Sequence, residues 1–201
     1  MDFTAVEQNL KARGFAVSTF ADAASAADYL NAQIDGSSAA FGGSVTLKQL
    51  SLYDRLSTHN AVYSHWHAPE GLSADELREK AQTSDHYLLS ANGLAETGEI
   101  INIDGTGNRV AASLYGHKKV WFIVGRNQLA PTYEEALWRA RNIAAPKNAQ
   151  RLGVKTPCAA KGDHCYDCRS PQRICRGLVV LWEAMKSCET EVVLINEDLG
   201  Y

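Results

Sequence analysis

The chain has 201 residues, 45 % apolar and 21 % charged, with a formal charge of -3 at pH 7. That is enough to bury one substantial core without disulfide or metal staples, and it is an ordinary composition for a single α/β domain spanning residues 1–201. No apolar run approaches the ~20 residues that cross a bilayer, and the start MDFTAVEQNLKARG lacks the basic and apolar stretches of a secretory signal. A cytoplasmic protein without membrane insertion is therefore expected.

In chain order, residues 2–13 read as a helix, FAVSTF (15–20) as a short strand and the Ala-rich stretch 21–34 as a helix. SSAAFGGSVTLKQLSLYDRL (37–56) reads as a strand ending at Gly42 and Gly43, then a helix that Ser44 or Thr46 caps. AVYSHW (61–66) follows as a strand, Ser73 and Glu76 form a capping box for the next helix, and HYLLSA (86–91) is again strand-like. Residues 99–114, two alternating apolar segments around Asp104-Gly105-Thr106-Gly107, predict a β-hairpin. KVWFIVG (119–125) has the continuous apolar character of a strand covered on both faces. Thr132 and Glu135 cap a helix that Pro146 is expected to stop, and GLVVLWEAM and EVVLIN supply closing strands, the first of which also suits a helix. Strands alternating with helices predict a three-layer α/β sandwich with a mostly parallel sheet, plus the hairpin and a Cys-rich loop at 156–177. There is no internal repeat and no clear linker.

Charge is uneven along the chain. Residues 136–176 carry nine Lys and Arg against Asp163 and Asp167, a local +7 that leaves -10 on the remainder. Without interleaved aromatics this segment does not suggest nucleic-acid binding, whereas it can offset metal-bound thiolates or face an acidic partner.

That same segment holds the strongest chemical signal. Cys158-x6-Cys165-x2-Cys168-x6-Cys175 places four of the five cysteines within eighteen residues, with Gly162 and Pro171 to turn the chain. Cysteine acting as a small buried apolar residue would not cluster so densely in a polar stretch, so a tetrathiolate metal centre is expected. A single Cys-x-x-Cys bite with wide flanking spacings favours a 4Fe-4S iron-sulfur cluster, and a structural zinc ion is the alternative. Arg169, Arg173 and Arg176 would offset its negative charge. Cys188 lies apart and reads as an ordinary packing residue. His65 and His67 have the spacing of a strand-borne metal pair but no third ligand, while His59, His86 and His117 suit local hydrogen bonds.

Gly42, Gly43, Ser44 and Thr46 between a strand and a helix form a candidate anion cradle, with Lys48 nearby. Asn92 on the Gly-containing loop SANGLAETGE, and Asp104, Asn108 and Arg109 in DGTGNR, are further candidate ligand-binding groups. A small anionic metabolite is the expected occupant.

Five stretches together, FGGSVTLKQL (41–50), SDHYLLSANGLAETGEIINIDGTGNRVAA (84–112), KKVWFIVGRNQL (118–129), RARNIAAPKNAQRL (139–152) and TPCAAKGDHCYDCRSPQRIC (156–175), make the chain resemble a lactate-utilisation (LUD) domain protein. The resemblance covers nearly the whole chain and is most specific from Ser84 to Cys175. It implies a fold similar to that of ribose-5-phosphate isomerases and CoA transferases; Glu96, on the Gly-containing loop SANGLAETGE, is the candidate catalytic residue, as a base or as a nucleophile of the kind a glutamate provides in the CoA transferases. Some members are encoded with iron-sulfur proteins that oxidise lactate, and this chain resembles a cysteine-bearing, stand-alone branch; with its four-cysteine array and basic segment, a role in redox or organic-acid metabolism and a redox protein partner are expected. A non-redox isomerase or transferase with a structural zinc, and a non-catalytic subunit of an oxidoreductase, are the alternatives.

Overall fold

A computed structural model describes residues 2–201. Its elements run α1 (Thr4–Ala12), β1 (Ala16–Phe20), α2 (Ala23–Gln33), β2 (Ser38–Phe41), α3 (Val45–Gln49), α4 (Leu52–Leu56), β3 (Ala61–Ser64), α5 (Ala74–Ala81), β4 (His86–Leu89) and β5 (Gly93–Ala95). They continue through β6 (Ile100–Asp104), α6 (Asn108–Leu114), β7 (Lys119–Gly125), β8 (Leu129–Ala130), α7 (Tyr133–Arg139), α8 (Ala145–Arg151), α9 (Pro157–Lys161), β9 (Gly177–Leu181) and β10 (Glu189–Ile195). Among the described residues no helix is long and apolar enough to cross a membrane.

Six strands in the order β1-β10-β7-β4-β2-β3 form one parallel sheet. Its centre is β7, and the period-2 geometry of a strand explains why almost all of KVWFIVG is apolar. Val120, Phe122 and Val124 join one core with Phe3, Val6 and Leu10 of the α1 segment and Leu94, Ile100 and Leu181 of a second sheet. Trp121 and Ile123 point the other way, into a core with Leu30 of α2, Leu47 of α3, and Leu52 and Leu56 of α4. Helices on one side, the parallel sheet in the middle, and helices with a four-stranded sheet on the other side make the predicted α/β sandwich.

The second sheet runs β8-β5-β6-β9. Its outer face is closed by Ala136 of α7 and by Ala140, which pack on Ala95, Ile101 and Ala130. Contact there is so close that a Cβ on Gly93 would stand 2.4 Å from the Ala136 carbonyl oxygen.

Two local expectations are corrected. There is no hairpin across residues 99–114: the chain leaves β6 and enters α6. Asp104 causes the change of direction, because its carboxylate accepts the backbone N-H groups of Gly105 (2.7 Å), Thr106 (3.3 Å) and Arg109 (3.2 Å), while Gly107 takes a left-handed φ of 96°. The antiparallel hairpin forms one step earlier, from β5 and β6, around residues 96–99. Nor does Pro146 stop the helix. The rod continues from α7 through a π-helical turn at Ala140–Ala144 into α8, with Pro146 in the first turn of α8. A proline lacks the N-H of that register and its ring crowds the carbonyl four residues back, and the wider π turn just upstream gives it room.

Candidate functional site

The order of the parallel strands defines where a site belongs. From β2 the chain steps outward to β3, then returns past β2 to lay down β4 on its other side. At such a reversal the loops leaving two neighbouring strands diverge and open a crevice at their carboxyl ends. Gly42 to Ser44 leave β2 and Ser90 to Asn92 leave β4 at that point, and the Gly42 N-H is still tied to the Leu88 carbonyl (2.9 Å).

A cavity of about 480 Å³ occupies the crevice, a volume suited to a metabolite. Gly43, Ser44, Thr46, Asn92, Asp104, Asn108 and Arg109 all line it, so three separated stretches of the sequence meet there. Gly42 lies just beneath: a Cβ at this position would sit 2.9 Å from Cγ of Arg109, so the glycine makes room for that side chain to cross the strand end. The Ser44 hydroxyl caps α3 by accepting the Leu47 N-H (3.4 Å), leaving its own proton free to donate. Thr46 donates to Ser90 (3.3 Å), Ser90 to Gln128 (3.1 Å), and Gln128 to the Ala91 carbonyl (2.7 Å), a buried chain that fixes the cavity floor. Since α3 is only five residues long, the positive character of the cavity comes from side chains rather than from a helix dipole.

Those side chains are arginines. Arg78, Arg109, Arg151, Arg173 and Arg176 line the cavity, against Asp104 as the one acidic side chain in the lining among the described residues. Asp104 is itself consumed by three backbone N-H groups and by Arg109 (3.4 Å). Arg109, Arg173 and Arg176 lie in stretches that the sequence marks, whereas Arg78 and Arg151 escape a sequence reading because they come from α5 and α8, and no local spacing relates them. The same holds for Trp66, whose ring lies 5.1 Å from the Arg151 guanidinium.

His65 also lines the cavity, whereas His67 does not. β3 ends at Ser64, so the strand geometry that would place both on one face is lost. His67 instead stacks on Tyr53, with ring centroids 3.8 Å apart. His59, His86 and His117 make the expected local bonds, to Asp35 and Asn31, to the Trp121 indole and to the Ser84 carbonyl. Burial is the main cause that lowers the pKa of His65, His86 and His117, with Arg78 and Arg109 adding to it at His65. A histidine depressed in the fold takes up its proton more readily in the unfolded chain. Stability is thus unaffected well above the ordinary value of 6.5 and falls as pH drops below it. Urea unfolding is expected to show a lower midpoint at about pH 5.5 than at about pH 7.5. Equal midpoints would show that these rings are not held neutral.

Glu96 sits elsewhere. It is exposed in the β5–β6 turn, with its N-H bonded to the Ala130 carbonyl (2.8 Å) and its carbonyl accepting from Asn9 (2.8 Å), and it does not line the cavity. Neighbouring Thr97 and Glu99 are held by Arg13, so this turn serves to dock α1 on the second sheet. Arg139, buried in α7, ties the other end of β5 by donating to the carbonyls of Asn92 (2.7 Å) and Asn127 (2.8 Å). Burial lowers its pKa to about 10, which leaves it charged at neutral pH.

The four clustered cysteines converge beside this cavity. Cys158 rides on α9, which Thr156 caps, and Gly162 ends that helix with a left-handed φ of 73°. The chain then runs without regular structure to β9. Cys158, Cys165, Cys168 and Cys175 all line one small void of about 20 Å³, together with Arg141 and Arg173. All are half-buried free thiols. Among the described residues no group of three or more His, Cys, Asp or Glu is drawn together closely enough to hold a metal ion.

The loop is nevertheless arranged around sulfur. Asp167, with φ of 44°, turns the Cys165-Tyr166-Asp167-Cys168 bite so that its N-H points at the Cys165 sulfur (3.4 Å). The Arg141 guanidinium approaches the same sulfur at 3.9 Å. Arg173 spans the loop, donating to the carbonyls of Cys168 (2.8 Å) and Cys175 (2.8 Å) and to Asp167 (3.1 Å). Metal-bound thiolates carry negative charge, which such donors and guanidinium groups would offset. The donor set, four cysteines with cationic neighbours, thus fits a thiolate-ligated centre. Cys188 is separate, half-buried against the main core.

Cys175 and Arg173 line both the small void and the large cavity, so the cysteine loop forms one wall of the arginine-lined site. A groove of about 300 Å³ along Cys165, Asp167, Cys175, Arg176 and Leu178 adjoins them.

These features define an α/β sandwich with a basic cavity at its strand reversal and a cysteine loop built into one wall. The LUD domain family model matches residues 4–195, and the chain belongs to that family. A solved structure, that of a DUF162 family protein from Deinococcus radiodurans, is similar to it with a TM-score of 0.55 at 14 % sequence identity, over 97 % of this chain and 99 % of that one. At that identity the likeness speaks for the fold. No curated protein matches the chain.

Proposed function

We propose that this LUD-domain protein holds an iron-sulfur cluster of the 4Fe-4S type on Cys158, Cys165, Cys168 and Cys175, and binds a small anionic metabolite in the adjoining cavity. The observation that carries the reading is the shared wall: Cys175 and Arg173 line the cysteine void and the arginine cavity alike. A bound cluster supplies one-electron transfer. The residues of this chain do the rest. Arg141 and the Asp167 N-H would offset the charge of a metal-bound Cys165 sulfur, Arg173 ties the backbone of Cys168 to that of Cys175, and the lining arginines would hold an anionic ligand beside that wall. The function this reading supports is redox chemistry in organic-acid metabolism, and a redox partner with an acidic surface would suit the groove rim at Arg141 and Arg176.

Position also argues against the transferase alternative, since Glu96 stands outside the cavity. Anaerobic purification followed by metal and sulfide analysis tests the proposal. Brown protein with about four irons and four sulfides per chain is the expected result. Colourless protein with one zinc per chain would overturn it in favour of a structural ion.

A further inference from the structure

The arginines around the large cavity are not evenly compensated. Arg78 pairs with Asp75 (2.5 Å), Arg173 with Asp167 (3.1 Å) and Arg109 with Asp104 (3.4 Å). Arg151 and Arg176 have no carboxylate partner among the described residues. Arg151 donates only to the Asn148 side chain (2.8 and 3.0 Å), and Arg176 only to the carbonyls of Arg173 (3.1 Å) and Pro171 (3.3 Å). Neither lines the void shared by the four cysteines, where Arg141 and Arg173 already stand. Two arginines without a carboxylate partner therefore line the large cavity, Arg176 at its edge toward the adjoining groove.

Donors are in excess as well. Among the described residues Arg78 Nε is buried without a partner and the Ser44 hydroxyl has no acceptor, while the oxygens of Asp104 are occupied. Such a lining has hydrogen bonds to give and few to accept. Apolar groups of Val45, Trp66, Ile103 and Leu152 cover other parts of the wall.

The geometry points to a phosphate monoester as the ligand. Its head carries close to two negative charges at neutral pH and three acceptor oxygens, matching two uncompensated guanidinium groups and an unpartnered Arg78 Nε, while the apolar wall takes the organic part. A dicarboxylate has the same charge but splits it between two planar ends, and so serves as the competing probe. The inference rests on the cavity being the ligand site of the proposed function; it does not require the cluster.

Calorimetric titration of the purified protein with inorganic phosphate and, separately, with succinate tests it, with iron content measured on the same sample. Saturable 1:1 phosphate binding is expected, with succinate weaker. Arg151→Gln and Arg176→Gln should each weaken phosphate about tenfold or more, whereas Arg126→Gln, outside the cavity lining, should leave binding unchanged. Circular dichroism of each variant confirms an intact fold before titration. Succinate binding as tight as phosphate, no phosphate binding, or equal loss in Arg126→Gln would each overturn the inference. Iron-replete protein that ignores phosphate refutes this inference alone, and phosphate-binding protein without iron refutes the cluster alone.

Discussion

Gly105→Ala is expected to unseat the cysteine loop while leaving the two sheets intact. A Cβ at Gly105 would lie 2.5 Å from the Ile174 carbonyl oxygen and 3.3 Å from its carbonyl carbon, and Ile174 stands between Arg173 and Cys175. Something must move. The Gly105 side is held firmly: β6 is paired with β9 from Ile100 to Asp104, and the Asp104 carboxylate binds the turn itself. The loop side has no strand or helix between Gly162 and Gly177, so the displacement falls there. Overpacking of this kind costs about 1–3 kcal/mol, and here it is relieved by local opening rather than by global unfolding. Limited trypsin digestion should cut the variant faster at Arg169, Arg173 and Arg176, and its iron content after anaerobic purification should fall below that of the wild type. The urea midpoint of the domain should change little. Unaltered cleavage together with wild-type iron content would show that the loop is not seated on Gly105.

The second large effect is expected at Arg173. Its guanidinium holds two cysteine carbonyls and Asp167 with separate N-H groups. Arg173→Ala leaves those acceptors to water and removes a charge beside the cysteine sulfurs, a loss of roughly 1–3 kcal/mol at this half-buried position. From the proposed cluster, iron should then be lost to a ferrous chelator about tenfold faster or more. Arg173→Lys separates charge from geometry. A lysine keeps the charge, but its compact ammonium cannot span both carbonyls as the planar fork does, so chelation should stay fast. Wild-type chelation rates in the Lys variant would mean that charge alone matters and that the clamp does not.

Much of the fold could be read from local pattern. The run Lys119–Gly125 emerges as the central strand because burial on both faces leaves no room for alternation, and the Ser73–Glu76 capping box closes at α5 because both of its bonds are local. The failures are also physical. Asp104-Gly105-Thr106-Gly107 has the composition of a hairpin turn, yet the Asp104 carboxylate captures the Arg109 N-H and starts a helix, a choice settled by one side chain. Pro146 normally ends a helix, but the π turn before it absorbs its ring.

The candidate site divides in the same way. The cysteines were visible because all four lie on one segment, and FGGS and DGTGNR because glycine and polar residues cluster there. Arg78, Arg151 and Trp66 were invisible as a group, being joined only when α5, α8 and the end of β3 pack around the strand reversal. Glu96 drew attention through its loop composition, which in the structure serves the docking of α1.

The π-helical turn at Ala140–Ala144 sets the phase of everything beyond it. An α-helix advances about 100° per residue, so one residue of π-type slack rotates all of α8 relative to α7 by about that angle. On one side of it, Ala136 and Arg139 face the second sheet; within and after it, Arg141 and Ala145 face the cysteines and Asn148 and Arg151 the arginine cavity. Two neighbouring chemical environments are thereby indexed to one rigid rod, and a single inserted or deleted residue in that turn would misalign both of them at once without altering either set of side chains.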